Sequence, residues 1–174
     1  MDITIREAEP REYQRLGDLT AQAYLADGLL ELDAEDSYLL TLRDVARRAA
    51  ASEVLVAVDA DGTLLGGVTF VPGSGPWADI AGPGESEFRM LAVDRSARGL
   101  GVGQALVDAC VARARAREGC VRIVLSTQRS MRAAHRIYER MGFVRTPERD
   151  WEPYAGPTLI TYALGLQPSA AVDG

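Results

Sequence analysis

Short apolar runs alternate along the chain with stretches in which apolar residues recur every three or four positions. The first pattern predicts strands and the second predicts amphipathic helices. Apolar runs predict strands at residues 3–5, 53–58, 63–71, 86–93, 121–126, from 143 onward, and at 158–164. Helical spacing predicts helices from residue 10, over 36–48, from the turn at 98–103 to about 117, and over 131–141.

The order of these elements predicts the fold class. It reads β-α-α-β-β-β-α-β-α-β-β, and the turn residues at 59–62 predict a hairpin in the first half. Helices alternate with strands only in the second half, whereas hairpins dominate the first half and the end. We therefore predict an α/β fold with a mixed sheet flanked by helices, rather than a fully parallel sheet. The Gly- and Pro-rich loop at 72–85 is long enough to suggest a functional segment.

Composition narrows the class of protein. The chain has 174 residues, of which 47% are apolar and 25% charged, which is typical of one globular domain. We find no signal peptide pattern and no apolar run of roughly 18 residues, so we expect a cytoplasmic protein without a membrane span. The net charge of −6 disfavours nucleic-acid binding. The chain contains no Lys, and its two cysteines suggest neither a disulfide framework nor a metal site.

A glycine-rich turn between a predicted strand and a predicted helix is the strongest chemical signal. It comprises Arg98, Gly99, Leu100, Gly101, Val102, Gly103 and Gln104. The start of a helix presents unpaired N–H groups and the positive end of a dipole, and glycines allow a bulky anion to approach them. This turn predicts a phosphate or pyrophosphate site, with Arg98 adding charge. The alternative is a glycine turn that only joins strand to helix.

The spacing of the glycines separates the possible phosphate ligands. A P-loop needs a Lys, which the chain lacks. A dinucleotide fingerprint needs a third glycine where Gln104 stands, so a nucleotide-binding oxidoreductase is disfavoured. The pattern Arg98-x-x-Gly101-x-Gly103 instead resembles the pyrophosphate loop of the GNAT superfamily, the acyl-CoA-dependent N-acyltransferases.

A second motif supports the same resemblance. Residues 133–143 are similar to the family signature Ala-x-x-Leu/Ile-Tyr-x-x-x-Gly-Phe, with matches at Ala134, Ile137, Tyr138, Gly142 and Phe143. The resemblance is strong over residues 86–145. It departs from the family at Met131, where an Asn near the CoA arm is common, so this polar contact is lost here.

The resemblance implies a fold and a cofactor. It implies a mostly antiparallel sheet of about seven strands flanked by about four helices, in a single domain over residues 1–166. Independently of the resemblance, we expect a frayed tail at 167–174. The resemblance also implies that acetyl-CoA is the co-substrate. The pantetheine arm would lie along the backbone of Leu91, Ala92 and Val93, with the Leu91 amide polarising the thioester carbonyl. Residues 99–104 would hold the pyrophosphate.

The resemblance further implies direct attack by an amine, with two catalytic residues. Glu87 matches the position of a general base in several members, and Arg89 should share its face of the strand. The alternative for Glu87 is an ion pair with Arg89 on a solvated face. Tyr138 matches the general acid that protonates the departing thiolate, and the alternative is a core tyrosine on the helix stripe.

Other residues have weaker signals. We interpret His135 as a packing or surface residue, Cys110 as core, and Cys120 as the start of a strand. Trp77 and Trp151 line an acceptor pocket or pack ordinarily. The acidic stretch 27–36 either favours a cationic amine or is a solvated loop.

The functional hypothesis is therefore an N-acetyltransferase acting on a small molecule, a peptide amino terminus or a protein lysine. The alternative is a non-catalytic acyl-CoA-binding or regulatory module with the same fold, and the presence of both Glu87 and Tyr138 favours the enzyme. We expect no metal. Dimers are common in the family, so a homodimer remains open.

Overall fold

The computed structural model describes residues 2–26, 37–153 and 158–166, in which seven strands and five α-helices form. The strands are β1 (Thr4–Glu7), β2 (Glu53–Val58), β3 (Leu64–Val71), β4 (Glu85–Val93), β5 (Arg122–Gln128), β6 (Val144–Arg145) and β7 (Leu159–Gly165). The helices are α1 (Tyr13–Ala26), α2 (Ser37–Arg43), α3 (Val45–Ala51), α4 (Val102–Arg115) and α5 (Arg132–Arg140). The acidic stretch 27–36 and the tail 167–174 lie outside the described residues.

All seven strands form one sheet in the order β1-β2-β3-β4-β5-β7-β6. Only β4 and β5 pair in parallel, and the other neighbours are antiparallel. This confirms the predicted mixed, mostly antiparallel sheet. The hairpin predicted around residues 59–62 joins β2 to β3.

The prediction of a single helix over 36–48 is wrong. The helix is interrupted at Asp44, so this region forms two helices, α2 and α3. The Asp44 side chain accepts a hydrogen bond from Arg47 N and so caps the start of α3. On α3, Val45 and Arg48 face the core and are buried, while Ala46 is exposed. None of the helices in the described ranges is long and apolar enough to span a bilayer.

Two consecutive glycines in β3 allow helices to pack closely on both faces of the sheet. A Cβ at Gly66 would lie 2.5 Å from the Ala92 carbonyl oxygen and 3.2 Å from Val102 of α4. A Cβ at Gly67 would lie 2.6 Å from a methyl of Leu16 in α1. The sheet is therefore covered by α4 on one face and by α1 on the other, with its centre at β3 and β4.

Strand β4 changes its facing pattern at a bulge. Among the described residues, Met90 is the one non-glycine residue with a positive φ, 59°. The register with β3 shifts at the same point, between Gly67 and Thr69. As a result Phe88 and Leu91 both pack with the α4 side of the core, whereas Met90 packs on the opposite side. The bulge therefore reorients the last residues of β4 next to the start of α4.

We predict that Gly66→Ala destabilises the fold by about 1–3 kcal/mol, since its methyl group would collide with a backbone oxygen that cannot move aside. The matched control is Gly165→Ala, on β7, where an added Cβ has no atom within 4 Å. Urea unfolding of both variants measures the difference. Equal stability of the two would show that close packing at β3 is not a constraint.

Candidate active site

Strands β4 and β5 separate at the middle of the sheet. Their ladder runs only from Glu85↔Arg122 to Glu87↔Val124. Beyond it β4 stays paired with β3 as far as Val93, and β5 stays paired with β7 as far as Gln128. The two strands therefore diverge after Glu87 and leave a gap with unpaired backbone on the edge of β4.

The start of α4 presents a surface suited to an anion. Gly101 caps the helix with a φ of 83°, and Gly99 has a φ of 81°. The first helical hydrogen bond runs from Ala105 N to Gly101 O, so the N–H groups of residues 102–104 have no partner within the helix. A Cβ at Gly99 or Gly101 would have no atom within 4 Å. Open space, unpaired donors and the helix dipole thus coincide.

Close packing brings this helix start to the gap. A Cβ at Gly103 would lie 2.8 Å from Ile137 of α5 and 3.6 Å from Val93. The start of α4, the end of β4 and helix α5 therefore meet at one place. Of the other predicted loop residues, Val102 is buried, whereas Arg98, Leu100 and Gln104 are exposed beside the helix start.

The turn leading into this loop is fixed by Asp94. Its carboxylate accepts hydrogen bonds from the backbone and the hydroxyl of Ser96, at 3.0 and 2.7 Å. These bonds from Ser96 lower the pKa of the Asp94 carboxyl. The loop that carries Gly99 and Gly101 is therefore preorganised from its first residue.

Tyr138 lies in an aromatic cluster next to the gap. It is 4% exposed, and its ring centroid lies 5.8 Å from Phe88, 5.9 Å from Phe143 and 5.7 Å from Tyr162. Burial raises the pKa of the Tyr138 phenol, so it stays protonated at neutral pH. Its hydroxyl makes no hydrogen bond to another residue in the described ranges, in contrast to Tyr162, which donates to Glu139 at 3.0 Å.

Glu87 is fully buried, with 0% exposure, on the face of β4 opposite Phe88. Its Oε1 accepts three backbone hydrogen bonds, from Asp79, Ile80 and Ala81, each at 3.0 Å. Its Oε2 is the one fully buried side-chain oxygen in the described ranges without a hydrogen-bond partner. Burial raises the pKa of the Glu87 carboxyl despite the hydrogen bonds from the loop.

The alternative of a solvated Glu87–Arg89 ion pair is wrong. Glu87 is buried away from bulk solvent, and Arg89 pairs instead with Asp79 at 3.1 Å. Asp79 could not be predicted from the sequence, since nothing in the periodicity of the 72–85 loop shows which of its residues contact β4. The role of Glu87 as a base stays a prediction.

The remaining candidates occupy supporting positions. His135 is half-buried, with its Nε2 2.9 Å from the Gln128 carbonyl oxygen and its ring against Tyr162. Cys110 is in the core as expected. Trp151 donates to the Ser126 hydroxyl at 2.9 Å. Met131 precedes α5 and is packed, half-buried, against the apolar cluster that contains Met90.

The gap between two central strands and the glycine-capped helix start beside it agree with the resemblance to acyl-CoA-dependent acyltransferases. Comparison of the sequence with known families agrees, because the Acetyltransferase (GNAT) family matches residues 13–143. The chain belongs to the GNAT acetyltransferase family.

Curated relatives and solved structures are consistent with this assignment. The chain is 38% identical over 119 residues to a mycothiol acetyltransferase of Salinispora tropica, covering 66% of this chain and 33% of the relative. It thus spans about a third of the length of the curated relatives it matches.

Two solved structures share the fold at low identity. A GNAT family acetyltransferase from Staphylococcus aureus has a TM-score of 0.73 at 16% identity, covering 95% of this chain and all of the other. A phosphinothricin acetyltransferase from Sinorhizobium meliloti, in complex with acetyl-CoA, has a TM-score of 0.70 at 17% identity, covering 95% and 89%.

Proposed function

We propose that this protein transfers an acetyl group from acetyl-CoA to a primary amine by direct attack, without an acyl-enzyme. The observation that carries the proposal is the gap between β4 and β5 next to the unpaired N–H groups of α4. The gap offers backbone donors and acceptors to the amide-containing pantetheine arm, and the helix start offers donors to its pyrophosphate.

The proposed path of the cofactor is the one that the resemblance implies, and the gap and the helix start support it. The pyrophosphate contacts residues 99–104, with Arg98 at the rim. The pantetheine arm follows the unpaired edge of Leu91, Ala92 and Val93 into the gap. The Leu91 amide then donates to the thioester carbonyl and stabilises the oxyanion that develops as the amine attacks.

The amine must lose a proton to react. An alkylamine with a pKa near 10.4 requires about 4–5 kcal/mol for deprotonation at pH 7, so a proton acceptor lowers the barrier substantially. We propose Glu87 as that acceptor. Its unpartnered Oε2 has free lone pairs, and burial raises its pKa toward the range suited to a base. Because the side chain is fully buried, the proton would reach it through water rather than by direct contact.

The departing group also needs a proton. When the C–S bond breaks, the sulfur of CoA leaves as a thiolate, and the Tyr138 phenol is the proposed donor. The raised pKa keeps the phenol protonated until the thiolate forms. The hydroxyl is not engaged by another described side chain, so it is available to the sulfur.

The acceptor class is tested with a thiol-release assay over a panel of primary amines, peptides and a lysine-containing protein. The panel includes mycothiol precursors bearing a primary amine, because the curated relatives are named mycothiol acetyltransferases. We expect turnover with at least one class. Binding of acetyl-CoA without turnover on any acceptor would instead indicate a non-catalytic acyl-CoA-binding module.

We predict that Tyr138→Phe lowers kcat at least tenfold while the Kd for acetyl-CoA stays within twofold, since only the transferable proton is removed. Steady-state thiol release and calorimetric titration measure the two quantities. The matched control is Tyr162→Phe, which removes a hydroxyl bound to Glu139 in a ring that touches Tyr138. An equal loss in both variants would remove Tyr138 from the mechanism.

We predict that Glu87→Gln lowers kcat at least a hundredfold. A base must be ionised, so wild-type kcat/KM should fall as the pH drops through a pKa above the ordinary carboxyl value of 4.5, and be retained above it. The pH profile of the Gln variant should lack this acidic inflection. A variant that retains both the rate and the inflection would exclude Glu87 as the base.

A further inference from the structure

The segment 77–82, between β3 and β4, forms hydrogen bonds with side chains of β4. Glu85, Glu87 and Arg89 alternate along the strand, so they extend from the same face toward this segment. Each of the three makes a polar contact with it. The contacts of Glu87 and Arg89 do not belong to the proposed proton transfers, and they indicate a separate role.

The strongest of these contacts is made by Oε1 of Glu87. Three successive N–H groups, of residues 79–81, point at this one oxygen at 3.0 Å each. A concave row of successive amides forms an anion site, and here the chain fills it with its own carboxylate. Removing the carboxylate would leave three part-buried donors without their protein partner, which is costly.

Arg89 holds the first part of the segment. Its Nη1 donates to the Trp77 carbonyl oxygen at 2.9 Å, and its Nε lies 3.1 Å from the Asp79 carboxylate. Its guanidinium also lies 5.9 Å from the centre of the Trp77 ring. The indole is thus fixed through both its backbone and its ring.

The end of the segment is fixed by Glu85 and Arg149. Glu85 accepts a hydrogen bond from Gly82 N at 3.1 Å, and Arg149 donates to the Ile80 carbonyl oxygen at 3.0 Å. The two side chains pair with each other at 2.8 Å. The start, middle and end of the segment therefore each have a polar partner in β4 or in the connection between β6 and β7.

The position of Trp77 gives the segment a functional location. Trp77 packs against an apolar cluster that contains Tyr24, Leu39 and Met90, on the opposite side of the sheet from α4. Met90 directly precedes Leu91, the residue assigned to the thioester carbonyl. The acceptor amine must approach the thioester from a side that the cofactor does not occupy, and Trp77 stands on that side.

We propose that Glu87 and Arg89 are positioning residues that hold segment 77–82 in place, and that Trp77 contacts the acceptor. This inference rests on the proposed function. It assigns the two oxygens of Glu87 to different tasks, since Oε1 holds the segment and Oε2 remains for the proton.

Amide hydrogen exchange of residues 79–81 tests the positioning role without any substrate. We expect Glu87→Ala to accelerate exchange at least tenfold, and Glu87→Gln to stay within threefold of wild type, because the amide oxygen still accepts. Glu53→Ala is the control, since it removes an ion pair with Arg113 elsewhere in the fold. Unchanged exchange in Glu87→Ala would overturn the proposal, whether or not acetyl transfer is found.

Kinetics test the contact with the acceptor, using the amine from the panel that wild type acetylates fastest. We expect Trp77→Ala and Glu87→Ala each to raise the KM for this amine at least fivefold, with the KM for acetyl-CoA within twofold. Glu87→Gln should restore the KM for the amine even where kcat falls. A changed KM for acetyl-CoA with an unchanged KM for the amine would contradict the assignment of Trp77.

Discussion

The site depends on the end of the pairing between β4 and β5 at Glu87 and Val124. Beyond this point β4 stays paired with β3, and β5 stays paired with β7. The two halves of the sheet therefore separate while each keeps its backbone hydrogen bonds. A divided sheet exposes backbone polar groups that need partners, and it thereby creates a place for an extended ligand with amides of its own. The gap, the start of α4 and Tyr138 are all arranged around this division.

The bulge at Met90 explains how one strand serves two sides of the site. Before it, Glu87 extends toward segment 77–82, and after it Leu91 packs on the α4 side with Val93. Without the positive φ at Met90, strict alternation would place Leu91 on the same face as Glu87. A local backbone conformation thus separates the side that holds the cofactor from the side that Trp77 covers.

The sequence predicted those features that depend on local chemistry. Gly99 and Gly101 could be predicted as part of a phosphate site because a phosphate loop needs a fixed spacing of glycines. The mixed sheet could be predicted from the order of hairpins and helices. Contacts between segments that are distant in the sequence could not be predicted from it. Neither the burial of Glu87 nor the role of Asp79 follows from periodicity, since both depend on how the 72–84 loop returns to β4. The break at Asp44 was missed because apolar spacing continued past a residue that also caps a helix.

The central claim is that the backbone at the start of α4 binds the pyrophosphate of acetyl-CoA. Calorimetric titration of Gly101→Glu against Gly119→Glu tests it most directly. The two glycines have φ values of 83° and 82° and open space at the Cβ, so both substitutions cause the same backbone strain and add the same charge. The account predicts at least a hundredfold weaker acetyl-CoA binding for Gly101→Glu and wild-type binding for Gly119→Glu. Equal binding by the two variants would contradict it.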